Sequence, residues 1–216
     1  LLLGKSSPTK ENFDVIISSV SDPEKVTIPN FIEIIEDRAF RDRKNLKEIE
    51  FQPNSHLRII GEYAFNRSGL KSINLPSSVV ELKPYWCLES FELTSININN
   101  QHYKSINNNS IILEKSSPEK EDFDVLSFAV PSLKNVTIPN YIEVIKKNAF
   151  CSCTQLVKVD FQSDSKLKII ENDAFCNVKI QSITIPRSLT EICNNAFSLC
   201  DKLVKFNIPV DSKLQK

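Results

Sequence analysis

Six cysteines and two histidines are the side chains with which this chain could do thiol, metal or acid–base chemistry. Cys151 and Cys176 each follow a phenylalanine directly, at the same place in two successive copies of one short pattern. If those copies stack in register the two thiols are neighbours, and a disulfide is within reach provided the Cα atoms lie under about 7 Å apart. Cys153 and Cys200 fall on a different repeated position, where a free thiol acts as a small buried hydrophobe. A metal centre built from Cys151, Cys153 and Cys176 would lack both a nearby histidine and the Cys-x-x-Cys spacing of a closed zinc site. His56 sits in a variable turn and His102 at the base of an insertion. Neither is spaced to act as a base beside Ser55 or Cys87 with an orienting acid behind it, so no catalytic residue is expected. With only 3 glycines the chain has no phosphate-cradling loop, and no cofactor or metal is expected.

Composition narrows the partners. Lys+Arg and Asp+Glu both number 27, and the sequence pI is about 6.9, so there is no cationic excess with which to neutralise nucleic-acid phosphates. Hydrophobic residues at 41% and charged residues at 25% are ordinary for a folded chain and exclude wholesale disorder. No apolar run approaches the roughly 18 residues that span a bilayer, and Leu1-Leu2-Leu3 is too short to form the core of a signal peptide. Membrane insertion is not expected.

The elements that would position any site are set by repetition. Residue n and residue n+110 align without a gap from Leu1/Ile111 to Ile98/Ile208, and 38 of the 98 pairs are identical. Inside each copy runs a shorter beat. The triplets Val26-Thr27-Ile28, Ile49-Glu50-Phe51, Ile73-Asn74-Leu75 and Ile96-Asn97-Ile98 follow one another at a step of 23, then 24, then 23, and the second copy repeats this. Such a period signals a solenoid, whose units contact only their sequence neighbours. The apolar–polar–apolar triplet is a strand with one buried face, and the prolines that follow, such as Pro29 and Pro139, end it because proline cannot donate to a ladder. A second short apolar segment (Ile32 to Ile35, Leu57 to Ile60, Ile142 to Ile145) packs behind it. An Ala-Phe pair then recurs at Phe40, Phe65, Phe150, Phe175 and Phe197, read as one turn of helix wedging phenylalanine into the interior.

The string Ile-x-Ile-Pro-x-x-(Val/Ile)-x-x-Ile-x-x-x-Ala-Phe-x-x-Cys-x-x-Leu is most complete in Val136 to Leu156 and Ile183 to Leu203. It resembles the BspA-like leucine-rich repeat and covers essentially the whole chain. Arg43 and Ser68 depart from it at the cysteine position, and Pro84-Tyr85-Trp86-Cys87 replaces the small-residue-plus-Phe element. The expected fold is a leucine-rich-repeat solenoid, with a parallel β-sheet on one face and short strands and single helical or 3-10 turns on the other. Residues 1–98 form a first repeat arc preceded by half of a β-hairpin, residues 99–132 a β-hairpin insertion of two strands around a charged loop, and residues 133–216 a second arc. The whole is read as one continuous solenoid, a fragment of a longer array. Trp86 is expected to be half buried.

What remains is surface. The outward strand positions carry Thr27, Glu50, Asn74, Asn97, Thr137, Asp160, Thr184 and Asn207, flanked by Glu48 and Lys158. With the hairpin-loop residues Glu119, Lys120 and Glu121 these form the candidate protein-binding surface, the bland reading being a solvated sheet face. The loop from Ser116 to Asp122 is expected to be dispensable for folding. Asn66-Arg67-Ser68, Asn108-Asn109-Ser110 and Asn135-Val136-Thr137 are glycosylation acceptors if the chain is secreted. The resemblance implies a non-enzymatic cell-surface or secreted module that adheres to host matrix or other cells. The alternative is an intracellular scaffold for protein–protein interaction. A protein ligand is the expected partner, and end-to-end self-association a second.

Overall fold

The apolar–polar alternation of the sequence becomes stacked strands in a computed structural model that describes residues 1–215. The chain divides into two units, Leu1–His102 and Tyr103–Lys216. In the first unit, β1 (Leu2–Gly4) and β2 (Val15–Ser18) form an antiparallel pair, and β3 (Lys25–Ile28), β5 (Glu48–Phe51), β7 (Ser72–Asn74) and β9 (Ser95–Asn97) are the triplet strands. Between them lie the two-residue strands β4 (Ile34–Ile35), β6 (Ile59–Ile60) and β8 (Glu81–Leu82). The second unit repeats this with β10 (Tyr103–Ile106), β11 (Ile111–Glu114), β12 (Val125–Ala129), β13 (Asn135–Ile138), β14 (Val144–Ile145), β15 (Lys158–Phe161), β16 (Ile169–Ile170), β17 (Ser182–Thr184), β18 (Glu191–Ile192) and β19 (Lys205–Asn207).

All eight triplet strands form, and their pairing is parallel and in register. Val26 faces Ile49, Ile73 faces Ile96, and Val136 faces Val159, so inward side chains stack on their counterparts one repeat away. They hydrogen-bond as pairs rather than as sets of four: β3 with β5, β7 with β9, β13 with β15, β17 with β19. Each break falls where the repeat is longer by a single residue, between Ile49 and Ile73 and between Val159 and Ile183. The second layer is continuous within each unit, as β2-β4-β6-β8 and β12-β14-β16-β18, all parallel.

The Ala-Phe elements are not helical. Among the described residues there is no helix, and each expected helical turn is a run of β-turns closed by bonds such as Ala39 N to Glu36 O at 3.2 Å and Arg41 N to Arg38 O at 3.1 Å. Two residues per turn hold a left-handed backbone, for example Arg38 and Asp42 (φ 64° and 59°) or Asn148 and Ser152 (φ 62° and 59°). An L-residue cannot continue a right-handed helix from there. The N–H groups of Phe40, Phe65, Phe150 and Phe175 instead donate to the next turn, for example Phe40 to Ala64 O at 2.7 Å and Phe150 to Ala174 O at 2.8 Å. This stitches neighbouring repeats together.

The wedge itself is as expected. Phe40, Phe65, Phe150 and Phe175 are fully buried, and Phe197, last in its column, is partly so. Their rings form columns: Phe40 on Phe65 at 5.2 Å and 9°, Phe150 on Phe175 at 4.8 Å and 4°, Phe175 on Phe197 at 5.2 Å and 4°. Trp86 takes the alanine place and Cys87 the phenylalanine place. Trp86 is buried rather than half buried, because its ring meets Phe65 edge-on at 6.3 Å and fills the volume that a second phenylalanine would occupy.

The insertion has three strands, not two. Three successive left-handed asparagines, Asn107 to Asn109, turn β10 back onto β11, and β12 serves at once as the third antiparallel strand and the first parallel strand of the second layer. The loop between β11 and β12 is anchored from below. Buried Asp124 accepts hydrogen bonds from Ser116 N (2.9 Å) and Ser116 Oγ (2.8 Å) and pairs with Lys120, whose ammonium also lies 3.4 Å from Glu143. Asp14, Ser6, Lys10 and Glu33 repeat the arrangement in the first unit. The exposed loop is thus tethered to the folded unit, at odds with its reading as dispensable: deleting Ser116 to Asp122 would take from Asp124 its partners Ser116 and Lys120.

Candidate binding grooves on the strand face

Where the triplet ladder opens, each unit carries a groove. The cause is local. Only five residues separate β3 from β4, but seven separate β5 from β6, and β15 and β16 are likewise seven apart. The longer connection bulges over the sheet through a left-handed residue, Asn54 (φ 58°) in the first unit and Asp164 (φ 56°) in the second. It is tied down identically in both: Gln52 N to Ile28 O at 3.0 Å and His56 N to Asn30 O at 2.8 Å, matched by Gln162 N to Ile138 O and Lys166 N to Asn140 O at the same distances.

The grooves measure about 760 and 770 Å³ and are open to solvent. Thr27, Glu48, Glu50, Gln52, Ser72 and Asn74 line the first, and Lys158, Asp160, Gln162, Ser182, Thr184 and Arg187 the second. Glu48, Glu50, Gln52, Ser72 and Asn74 are the equivalents, in that order, of Lys158, Asp160, Gln162, Ser182 and Thr184 in the second copy, and Arg187 stands where the first groove has Ser77. Charge separates them. Lys25 bridges Glu48 (3.2 Å) and Glu50 (2.6 Å), leaving the first groove acidic by one. In the second, Lys158 pairs with Asp160 at 2.7 Å, and Arg187 and Lys213 add positive charge opposite Asp164 and Asp211. Hydrogen bonding from Lys25 holds the Glu50 carboxyl below its ordinary value and, reciprocally, raises the Lys25 ammonium.

The structure thus gathers Thr27, Glu48, Glu50 and Asn74 into one groove and Lys158, Asp160 and Thr184 into the other. Asn97, Thr137 and Asn207 lie on the strand face outside them, Asn207 donating to the Thr184 hydroxyl at 3.0 Å. Glu119, Lys120 and Glu121 sit apart on the β11–β12 loop, where Lys120 is engaged by Asp124 and Glu143. The rim residues Gln52, Asn54, Gln162, Asp164 and Arg187 escaped sequence reasoning, although the lengthened step was their signal.

None of the lining side chains is a cysteine or histidine. The thiols lie elsewhere: burial pushes Cys87 up to about 12, and burial followed by the neighbouring Cys151 raises Cys153. Cys200 donates to Phe175 O at 3.1 Å, as the equivalent Ser90 does to Phe65 O at 2.7 Å, so this repeated position satisfies a turn carbonyl. Among the described residues no cluster of His, Cys, Asp and Glu could hold a metal ion, and no helix is long and apolar enough to cross a membrane. The grooves offer amide and hydroxyl hydrogen bonds and ion pairs.

The chain matches the BspA type leucine rich repeat region over residues 18–116 and 123–215, in 6 copies. Solved structures with a similar fold include a leucine-rich repeat protein from Eubacterium ventriosum (22% identity, TM-score 0.67, covering 85% of this chain and 53% of that one). The pneumococcal vaccine antigen PcpA is also similar (18% identity, TM-score 0.63, covering 87% and 51%), as is a leucine-rich repeat protein from Bacteroides ovatus (16%, TM-score 0.51, covering 88% and 54%). This chain spans about half the length of each. Among curated proteins none matches it significantly.

Proposed function

We propose, for a chain that belongs to the BspA-type leucine-rich repeat family, that it is a non-enzymatic protein-binding module acting at the cell surface or outside the cell, in adhesion to host matrix or to other cells. The observation that carries this reading is the pair of position-equivalent grooves, built twice by the same lengthened turn and floored by small polar side chains. Each is open enough to admit an extended segment of a partner protein. The ligand pairs its own polar groups with Gln52, Ser72 and Asn74, or with Gln162, Ser182 and Thr184. Charged rim pairs set orientation and on-rate more than affinity. The fold shared with a pneumococcal vaccine antigen supports an exposed location.

The test is capture of matrix proteins and intact cells by the immobilised chain, compared with a variant in which Asn74→Arg and Thr184→Arg fill both grooves. Loss of capture with an unchanged circular dichroism spectrum is the expected result; undiminished capture would overturn the assignment to the grooves. A second reading is an intracellular scaffold for protein–protein interaction using the same surface. Fractionation of the full-length protein separates the two.

A further inference from the structure

Cys151 and Cys176 stand apart from the other four cysteines. Each follows a phenylalanine of the Phe150–Phe175 stack, whose rings lie 4.8 Å apart and within 4° of parallel. The backbone around them is laddered on both sides, Phe150 N to Ala174 O at 2.8 Å and Ser152 N to Cys176 O at 2.9 Å, so the two cysteines occupy the same place in adjacent turns. That register sets their Cα atoms about one strand spacing apart, ~4.8 Å, inside the window of about 4.4–6.8 Å that a disulfide spans. Both side chains are only partly buried, whereas Cys87 and Cys153 are sealed in the core. In the first unit the same two places carry Arg41 and Asn66, so the pair is peculiar to the second unit.

We propose that Cys151 and Cys176 are a modification site, a dithiol that closes into a cross-turn disulfide when a low-molecular-weight disulfide is present as oxidant. Burial, together with the neighbouring Cys176, raises the Cys151 thiol to about 12, so its thiolate is scarce at neutral pH. The Cys176 sulfur, which accepts a hydrogen bond from the Ser198 hydroxyl at 3.2 Å, makes the first attack. Its thiolate displaces one thiol from the small disulfide and forms a mixed disulfide. Cys151, deprotonated in turn, attacks the Cys176 sulfur, the bond to the small molecule breaks, and the second thiol leaves. Two protons and two electrons pass from the cysteine pair to the oxidant. The second step is slow and accelerates with pH, because it waits on the Cys151 proton. The bond would add a covalent staple to repeats already joined by strand pairing, turn hydrogen bonds and a ring stack. It would place the second unit in the class of proteins hardened by an oxidising exterior.

The experiment exposes the reduced chain to oxidised glutathione at about pH 8, then alkylates it under denaturing conditions for intact mass and non-reducing peptide mapping. The expected product has four alkylated cysteines, a Cys151–Cys176 cross-linked peptide, and a Tm raised by roughly 5 to 12 °C that reverts with dithiothreitol. Cys176→Ser should abolish both the link and the shift while folding normally. Six alkylated cysteines after prolonged exposure would overturn the proposal. A glutathione adduct persisting on Cys176, or a link through Cys153, would do the same. This outcome is independent of whether the grooves bind a protein.

Discussion

Phe150→Ala tests the stacking logic most directly. Phe150 has no solvent exposure and lies face to face with Phe175, which in turn stacks on Phe197. Truncation removes the ring's transfer free energy and leaves a cavity between turns whose backbones, tied by the Phe150-to-Ala174 and Ser152-to-Cys176 bonds, cannot collapse into it. The two contributions together come to about 3 to 5 kcal/mol. For a chain of this size that lowers Tm by roughly 6 to 20 °C. Phe197 provides an internal standard. It ends the column, is partly exposed, and meets Phe206 only edge-on at 5.3 Å and 83°, so Phe197→Ala should cost roughly half as much. Urea unfolding followed by circular dichroism measures both variants. The column is refuted as the core of the second unit if Phe150→Ala costs no more than Phe197→Ala, or no more than the loss of a single buried methyl group.

Other outcomes follow from the same geometry. Asp124→Asn should destabilise the chain by about 1.5 to 3 kcal/mol, because it weakens charge-assisted bonds from Lys120 and Ser116 around a buried group. Burial alone would raise the Asp124 carboxyl, but those bonds hold it below its ordinary value. Its contribution is complete above the unfolded carboxyl value near 4 and disappears as pH falls through the lower folded value, so the stability gap between wild type and Asp124→Asn should close below about pH 4 in thermal melts. Glu48→Lys with Glu50→Lys should leave the melting temperature little changed, since the Lys25 pairs are exposed, while altering the salt dependence of ligand capture measured by interferometry. Expressed through a secretory route, the chain should carry glycan at Asn108, exposed in its left-handed turn, and none at Asn66. The Asn66 side chain is buried and donates to Leu88 O at 2.8 Å, and glycopeptide mapping distinguishes the two.

The strand layer was legible because its signal is redundant: the inward positions Val26, Ile49, Ile73 and Ile96 are set at once by alternation and by spacing, and several by a neighbouring proline as well. The turns were less so. Ala39-Phe40 followed by Leu46 fits a helical turn as well as a β-turn run, since apolar spacing over so few residues does not distinguish them. The second unit held the clue in Asn148, Asp173 and Asn195, residue types that tolerate a left-handed backbone, but the first unit hid it by placing Arg38, Tyr63 and Tyr85 at the same sites. Tyr63 and Tyr85 stack at 5.0 Å with Arg41 over the Tyr63 ring, contacts that offset part of the strain and were invisible before the turns were in register. The grooves arose from two extra residues in one connection, a difference the lengthened step recorded without saying on which face it would emerge.

That step also bears on how such a protein would bind. The shorter repeat alone would give an unbroken ladder and a flat polar face, which offers a partner hydrogen bonds but little concavity and no aromatic anchor. The one longer repeat in each unit opens the ladder there and raises a rim, so each unit carries a single groove. Each groove taken singly is shallow and polar, the kind of site that binds weakly. Two on one chain convert the second encounter into an intramolecular one, and avidity can then exceed either affinity by about 10²–10⁴ where a ligand or a cell surface presents repeated segments within reach. Filling one groove, by Asn74→Arg or by Thr184→Arg alone, should therefore weaken capture by a dense ligand surface far more than binding of a single dissolved copy of that ligand. Equal losses in the two formats, read as dissociation rates on high- and low-density surfaces, would mean that the grooves act singly and that their repetition is only a consequence of the fold.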